Sequence, residues 1–356
     1  MVYLTIIFVY IYNVFLSFFL SRLNKKYIYF LCLPLIIFLS WFGANNIKKI
    51  SVDYENYSNW ISDIFYTEKI DFFLDKDPGF ALLVKGIQYL FGNEYFYIYF
   101  IFIFLGVFSK LKLAVDWLPN TLIALFLVLC LSRYYIIHDV TQLRAGLVIV
   151  LGTLLSLNFI NKNINIVWYS VFLVALSSIH SSIILLLLIM ILDYSFKFLK
   201  KRYFTIIVFF SSLFSYFIGG LITEKASVLF GGYFRYSVYL ETGGFEDAKI
   251  SIFSFFILIK IMIVLMNIII WEKINDFYRV LVSLSCIGLF FALAFSQIAV
   301  LGWRFSEIFA YFDILCIFTP LIFLKLDINA RFLYIIFWFV MSFLMLYSSL
   351  VVILNI

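Results

Sequence analysis

Charged residues are scarce in this chain: Asp, Glu, Lys and Arg make up 13% of its 356 residues, whereas hydrophobic residues make up 65%. A soluble globular protein carries about 25% charged residues. No polar stretch is long enough to enclose a core of its own. The apolar runs are continuous and about 15–22 residues long, which suits membrane-spanning helices. We therefore expect an all-α, polytopic membrane helical bundle with a single domain over residues 1–356.

Cysteine and histidine are also rare, with four and two copies. The cysteines lie inside apolar runs without CxxC spacing, so neither a disulfide framework nor a metal site is indicated. P-loop, Rossmann and HExxH motifs are absent from the sequence, which disfavours ATP-driven transport, redox work and zinc proteolysis. No metal or cofactor is required by the visible residues, and no nucleic-acid partner is expected. Any chemistry must use a donor that is already in the membrane.

The apolar pattern predicts twelve membrane spans, and no internal repeat is visible. Residues 164–196 are the least certain stretch, because one helix of that length would be about 50 Å long against a core of about 30 Å. We favour two short helices, or a re-entrant pair, broken at residues 177–182. The predicted spans are 3–20, 27–43, 94–109, 119–137, 142–160, 164–179, 181–196, 203–221, 251–270, 277–299, 304–324 and 332–354.

Short basic connections between the spans indicate the orientation, because cytoplasmic loops are enriched in Lys and Arg. The two-span interpretation places the basic connections on one side, and both termini are then external. The basic connections lie at Arg22 to Lys26, at Lys110 and Lys112, and at Lys197 to Arg202.

Two long outer segments are predicted, at residues 44–93 and 222–250. In the first, Asp77 and Pro78 can start a helix over residues 78–91, whose apolar residues recur at helical spacing. We expect this amphipathic helix to lie flat on the outer surface. The second segment contains Arg235 among tyrosines, and glycine pairs punctuate it.

Arg144 opens the predicted span 142–160, where the positive end of the helix dipole makes a cation mildly unfavourable. Exposed N–H groups and a guanidinium together can bind phosphate, so Arg144 is a candidate anion-binding residue. Asp139 and Gln142 have the spacing of a capping box. The alternatives are that Arg144 reaches lipid headgroups or pairs with Asp139.

Other polar residues sit at the starts or inside the apolar runs. Arg304 opens the span 304–324, and its i,i+3 spacing places it on the same helix face as Glu307. The two residues are either part of a functional site or only an intrahelical salt bridge. Lys260 and Asp313 are intramembrane charges that need a partner or cavity, and they can pair with each other.

Several of these motifs, taken in order along the chain, resemble the EpsG family of bacterial exopolysaccharide proteins, relatives of Wzy-type O-antigen and capsule polymerases. The resemblance covers most of the chain. The motifs are Asp53-Tyr54 with Tyr57, Asp77-Pro78-Gly79-Phe80, Gln142-Leu143-Arg144-Ala145, Phe159 with Lys162, Ser178-Ile179-His180-Ser181-Ser182, and Arg304 with Glu307.

The resemblance implies a fold similar to membrane GT-C-like glycosyltransferases and a multi-pass protein of the bacterial cytoplasmic membrane. It implies that oligosaccharide repeat units linked to undecaprenyl diphosphate are joined at the outer face, facing the periplasm or exterior. Arg144, Arg304 and Arg235 would bind the diphosphate, and a divalent ion on it is left open. His180 or Glu307 would act on the acceptor hydroxyl. Asp53, Tyr57, Gln142 and Lys260 would bind substrate, and a chain-length regulator is a candidate partner.

Two other functions remain open at this point. A flippase for lipid-linked oligosaccharide would also need cationic residues, but these would line a central cavity between two similar halves of the chain. An O-antigen ligase-like transferase would share the donor and the need for arginines.

Overall fold

The computed structural model describes residues 23–67, 77–196, 199–222 and 249–354, with residues 7, 11, 12 and 225 in isolation. Throughout these ranges the regular elements are helices and no strand occurs, which confirms the all-α fold. The helices are α1 (Lys25–Ile50), α2 (Tyr54–Tyr66), α3 (Pro78–Phe91), α4 (Tyr95–Trp117), α5 (Asn120–Tyr134), a π-helix (Tyr135–Thr141), α6 (Leu143–Ile160), α7 (Ile166–Ser177), a 3-10 helix (Ser181–Leu187), α8 (Leu188–Ser195), α9 (Lys201–Phe217), α10 (Phe255–Ile269), α11 (Asp276–Ala294), α12 (Ala299–Glu307), α13 (Ala310–Ile317), α14 (Thr319–Phe323) and α15 (Ile328–Leu354).

In the described part of the chain, six helices are long and apolar enough to cross a membrane, or up to seven if one bent pair is a single span. The chain is therefore a multi-pass membrane protein, but the predicted number of twelve spans is not confirmed. α7 has 12 residues and is about 18 Å long, well short of a hydrocarbon core of about 30 Å. The predicted span 304–324 overlaps a pair of helical segments, Ala299–Glu307 and Ala310–Phe323, which are bent by 58° and are either one broken span or a re-entrant loop. The predicted span 3–20 falls outside the described residues, apart from three positions.

The helices divide into two compact units. Unit 1 comprises Met1–Leu155, Val167–Ile184 and Leu326–Ile356, and unit 2 comprises Ser156–Ile166 and Leu185–Lys325. In unit 1, α1 packs on α4, and α15 packs on α5. α5 is buried on all sides from Leu122 to Tyr134, which explains why its sequence has no polar face. In unit 2, α11 is central and packs on α9, α12 and α13.

The predicted basic connection at Lys110 and Lys112 is wrong, because α4 does not end at residue 109. It continues to Trp117, and Leu118 then takes an extended conformation (ψ 153°) before Pro119. Both lysines therefore lie inside a helix, and this region gives no support to the predicted orientation. Lys110 is buried at 2% exposure and binds the carboxylate of Asp139.

The first predicted outer segment is mostly helical. α1 extends beyond residue 43 to Ile50 and is followed by α2 and α3. The predicted bounds of α3, residues 78–91, are confirmed. Phe80, Val84 and Ile87 form its buried face, whereas Tyr89 and Leu90 are exposed. Most of the second predicted outer segment, including Arg235, lies outside the described residues.

Candidate functional site

Arg144 is the second residue of α6, so the prediction that it lies in the first turn of a helix is confirmed. The capping box predicted for Asp139 and Gln142 is wrong, because Asp139 lies within the π-helix and binds Lys110. Gln142 joins the π-helix to α6, and its backbone N–H donates to the carbonyl of Ile137 at 2.8 Å. π-Helical turns are rare and occur often at functional sites.

The partner of Arg144 is Asp77, not Asp139. The guanidinium binds the Asp77 carboxylate through Nη1, and its Nε donates to the hydroxyl of Tyr57 at 3.4 Å. The Arg144 and Asp77 side chains are only 12% and 11% exposed. A charged pair that is largely shielded from water is held more strongly than a surface pair.

Aromatic rings surround the same guanidinium. Its central carbon lies 4.2 Å from the centre of the Trp60 ring and 5.4 Å from the rings of Tyr57 and Phe80. Such distances permit cation–π attraction, which is stronger when the cation is desolvated. α2 supplies Tyr57 and Trp60, and α3 supplies Phe80, so two helices and Asp77 converge on Arg144 at the start of α6. We define the Asp77 turn as residues 77–80.

The Asp77 turn also contacts the segment that carries His180. Asp77 has a left-handed backbone conformation (φ 52°), and the N–H of Gly79 donates to the carbonyl of Ser178 at 2.8 Å. A Cβ at Gly79 would lie 2.2 Å from Ser178 Oγ and 3.0 Å from the Ser178 carbonyl carbon. Only glycine therefore allows this close approach without a shift of the neighbouring backbone.

His180 lies where the sequence predicts a break. α7 ends at Ser177, a turn follows, and the 3-10 helix begins at Ser181, which confirms the break over residues 177–182. His180 is half-buried, and its N–H donates to the carbonyl of Leu176 at 3.2 Å. The segments of Arg144, Tyr57 and His180 are thus joined within unit 1 by the Asp77 turn.

Asp53 lies immediately before α2, four residues before Tyr57, and is half-buried. Its side chain makes no helix-capping hydrogen bond. Asp53 therefore directly precedes the helix that carries Tyr57.

The unit 2 candidates occupy different surroundings. The prediction that Arg304 opens a helix is wrong: it lies in the last turn of α12, where a cation interacts favourably with the helix dipole. Arg304 therefore needs no anion to offset the positive end of a helix dipole. Glu307 is the last residue of α12 and is 5% exposed, while Arg304 is half-buried.

Lys260 pairs with Asp313, as the sequence suggests for two intramembrane charges. The Lys260 ammonium and the hydroxyl of Ser285 each bind one oxygen of the Asp313 carboxylate. The side chains of Lys260 and Asp313 are 9% and 6% exposed. This arrangement neutralises both charges inside unit 2 and satisfies both carboxylate oxygens.

The sequence does not predict three contributors to the Arg144 surroundings: the Asp77 carboxylate, Trp60 and Phe80. The sequence does contain a signal, the stretch Asp77-Pro78-Gly79-Phe80, which is both a predicted helix start and one of the motifs of the family resemblance. No group of three or more His, Cys, Asp or Glu residues that could hold a metal ion is found in the ranges that the structure describes.

A family model described as the EpsG family matches residues 28–354. The chain belongs to the EpsG family. The match includes every residue of the Arg144 surroundings and the His180 break. No curated protein and no solved structure matches the chain. Membership of the EpsG family, together with the apolar helices, indicates a membrane protein of the polysaccharide polymerase type.

Proposed function

We propose that this EpsG-family protein joins oligosaccharide repeat units carried on undecaprenyl diphosphate at the outer face of the bacterial cytoplasmic membrane. One lipid-linked glycan is the donor, a second is the acceptor, and undecaprenyl diphosphate is released. The observation that carries the proposal is the guanidinium of Arg144, which is held at the start of α6 by Asp77 and Tyr57 and walled by aromatic rings.

This guanidinium suits a diphosphate. A guanidinium has about five N–H donors, and the bonds to Asp77 and Tyr57 engage two of them. A phosphate oxygen can therefore share Arg144 with Asp77. The first turn of α6 adds the positive end of the helix dipole to the same place.

In the proposed reaction, a hydroxyl oxygen of the acceptor forms a bond to the anomeric carbon of the donor's reducing-end sugar. The bond from that carbon to the diphosphate oxygen breaks, and its electron pair leaves with the diphosphate. The hydroxyl proton goes to a base, for which His180 and Glu307 are the candidates. Negative charge develops on the leaving oxygen, so an arginine whose contact strengthens as the bond breaks lowers the barrier.

Arg144 is our first choice for the leaving-group role, and Arg304 and Arg235 are further candidates. Asp53, Tyr57 and Gln142 are proposed to bind the glycan near Arg144. Lys260 is buried in its pair with Asp313, so a direct contact with substrate requires that pair to open. The proposed reaction needs no cofactor, and a divalent ion on the diphosphate is left open. A chain-length regulator as partner, a GT-C-like fold and twelve spans remain part of the proposal.

Purified protein with a lipid-diphosphate-linked repeat unit tests the proposal. The expected products are a ladder of longer glycans and free undecaprenyl diphosphate. Arg144→Ala should abolish the ladder, whereas Arg202→Ala, which removes an exposed arginine paired with Glu272, should leave it intact. Translocation of the lipid-linked unit without a ladder would show a flippase, and a ladder from Arg144→Ala equal to that of the parent would remove Arg144 from the mechanism.

A further inference from the structure

The Asp77 turn bonds to two segments that carry different candidate groups of unit 1. At one end, the Asp77 carboxylate binds the guanidinium of Arg144. At the other end, two residues later, the Gly79 N–H binds the carbonyl of Ser178, which is two residues before His180. The turn therefore joins the start of α6 to the break after α7.

Both ends of the turn are stiff. Pro78 fixes its own backbone, and Asp77 is held in the left-handed region, which a residue other than glycine rarely adopts without compensating contacts. Phe80 is fully buried, and its ring lies 4.8 Å from that of Trp60. A short, stiff connection passes a displacement at one end to the other.

We infer that Asp77 and Gly79 are positioning residues, and that the Asp77 turn sets the guanidinium of Arg144 relative to His180. The inference rests on the proposed function, because Arg144 is there assigned to the diphosphate and His180 to the acceptor hydroxyl. In a displacement reaction the leaving group and the attacking hydroxyl must be aligned on one carbon. One turn that binds the Arg144 guanidinium and the backbone two residues before His180 supplies this alignment.

The first test compares alanine substitutions of two glycines in α3, Gly79 and Gly86. Gly79→Ala places a Cβ against Ser178, whereas a Cβ at Gly86 in the same helix would meet nothing within 4 Å beyond its chain neighbours and the backbone of its own helix. We expect Gly79→Ala to weaken binding of undecaprenyl diphosphate and to lower kcat about ten- to a hundredfold, and Gly86→Ala to change neither. Equal effects of the two substitutions would overturn the inference.

A double-mutant cycle separates positioning from general damage. If Gly79 acts through Arg144, Gly79→Ala weakens undecaprenyl diphosphate binding in the parent but has no further effect in the Arg144→Ala background. Additive losses would show that Gly79 supports the fold and not the guanidinium. Since Gly79→Ala could fail to fold, Asp77→Ala and Asp77→Glu form a second series. The glutamate should recover part of the kcat lost in the alanine variant, and no recovery would contradict the role of the carboxylate.

Hydrogen exchange of the ligand-free protein distinguishes failure of this inference from failure of the proposed function. Asp77→Ala should raise the exchange of amides in residues 177–182 as well as around Arg144. Raised exchange in a protein that does not bind undecaprenyl diphosphate would leave the coupling intact and refute the substrate. Binding that depends on Arg144, without raised exchange at residues 177–182, would leave the substrate intact and refute the coupling.

Discussion

The clearest stability prediction concerns two lysines that lie two residues apart in α4. Lys110 and its partner Asp139 have side chains that are 3% and 1% exposed. Lys112 forms an i,i+4 pair with Asp116 at 2.8 Å, and those side chains are 51% and 39% exposed. The two pairs share a helix and differ in burial, so they form a matched comparison.

Lys110→Met leaves the Asp139 carboxylate buried without its ammonium, and breaking a buried pair in this way costs about 3–5 kcal/mol. Lys112→Met removes an exposed helical pair, which contributes about 0.3–0.5 kcal/mol. The expected ratio of the two losses is therefore about tenfold. Asp139→Asn in the Lys110→Met background removes the unpaired charge and should recover about 2 kcal/mol or more of the loss.

The assay is the free energy of unfolding from denaturant titration of purified protein in mixed detergent micelles, with the four proteins compared under one condition. A Lys110→Met variant no less stable than Lys112→Met would refute the reasoning. So would a double variant that is less stable than Lys110→Met alone, because removal of the second charge would then not relieve the first loss.

Three further predictions concern single contacts. Lys260→Met should destabilise the protein by about 3–5 kcal/mol, because the Asp313 carboxylate keeps its burial and loses its ammonium; the same titration measures the loss, and an unchanged midpoint would contradict it. Trp60→Ala removes the ring 4.2 Å from Arg144 and should weaken binding of undecaprenyl diphosphate several-fold in an equilibrium assay, given about 0.5–2 kcal/mol for a cation–π contact; unchanged affinity would exclude the ring from the site. Gly146→Ala places a Cβ 2.5 Å from a carbonyl oxygen of the π-helix and should lower stability by about 1–3 kcal/mol, and a variant as stable as the parent would show that the π-helix is free to shift.

Local signals in the sequence predict several features of the site correctly. The Asp-Pro-Gly start and the apolar repeat place α3 at residues 78–91, and the serine-rich stretch around His180 places the break at residues 177–182. Arg144 lies in the first turn of its helix. Each of these features depends on residues that are neighbours in the chain.

Long-range pairing accounts for the wrong predictions. Lys110 is taken as part of a basic loop because its partner, Asp139, is 29 residues away and belongs to a different helix. Asp77 is the N-cap residue of α3, as predicted, but its carboxylate makes no capping hydrogen bond. The sequence does not show that this carboxylate binds Arg144, because Arg144 is 67 residues away. A charged residue in an apolar run indicates either the end of a span or a buried pair, and only the fold decides between them.

A different problem affects Arg304. The sequence gives a continuous apolar run after it, which favours a helix start, yet α12 begins five residues earlier and ends at Glu307. The run is divided between α12 and α13, with a bend of 58° where they meet. Hydropathy does not reveal such a bend. Arg304 consequently lies at the negative end of a helix dipole, which favours a cation, and not at the positive end that the sequence predicts.

Equilibrium binding of undecaprenyl diphosphate to the purified protein tests the central claim most directly, because it needs neither acceptor nor turnover. Loss of one charge-assisted hydrogen-bonding group removes about 1.5–3 kcal/mol, so Arg144→Ala should raise Kd about ten- to a hundredfold. The Kd of Arg144→Lys should lie between those of the parent and Arg144→Ala, because lysine keeps the positive charge but lacks the planar, bidentate guanidinium. A Kd for Arg144→Ala equal to that of the parent, with Arg202→Ala also unchanged, would contradict the assignment of Arg144 as the diphosphate-binding residue.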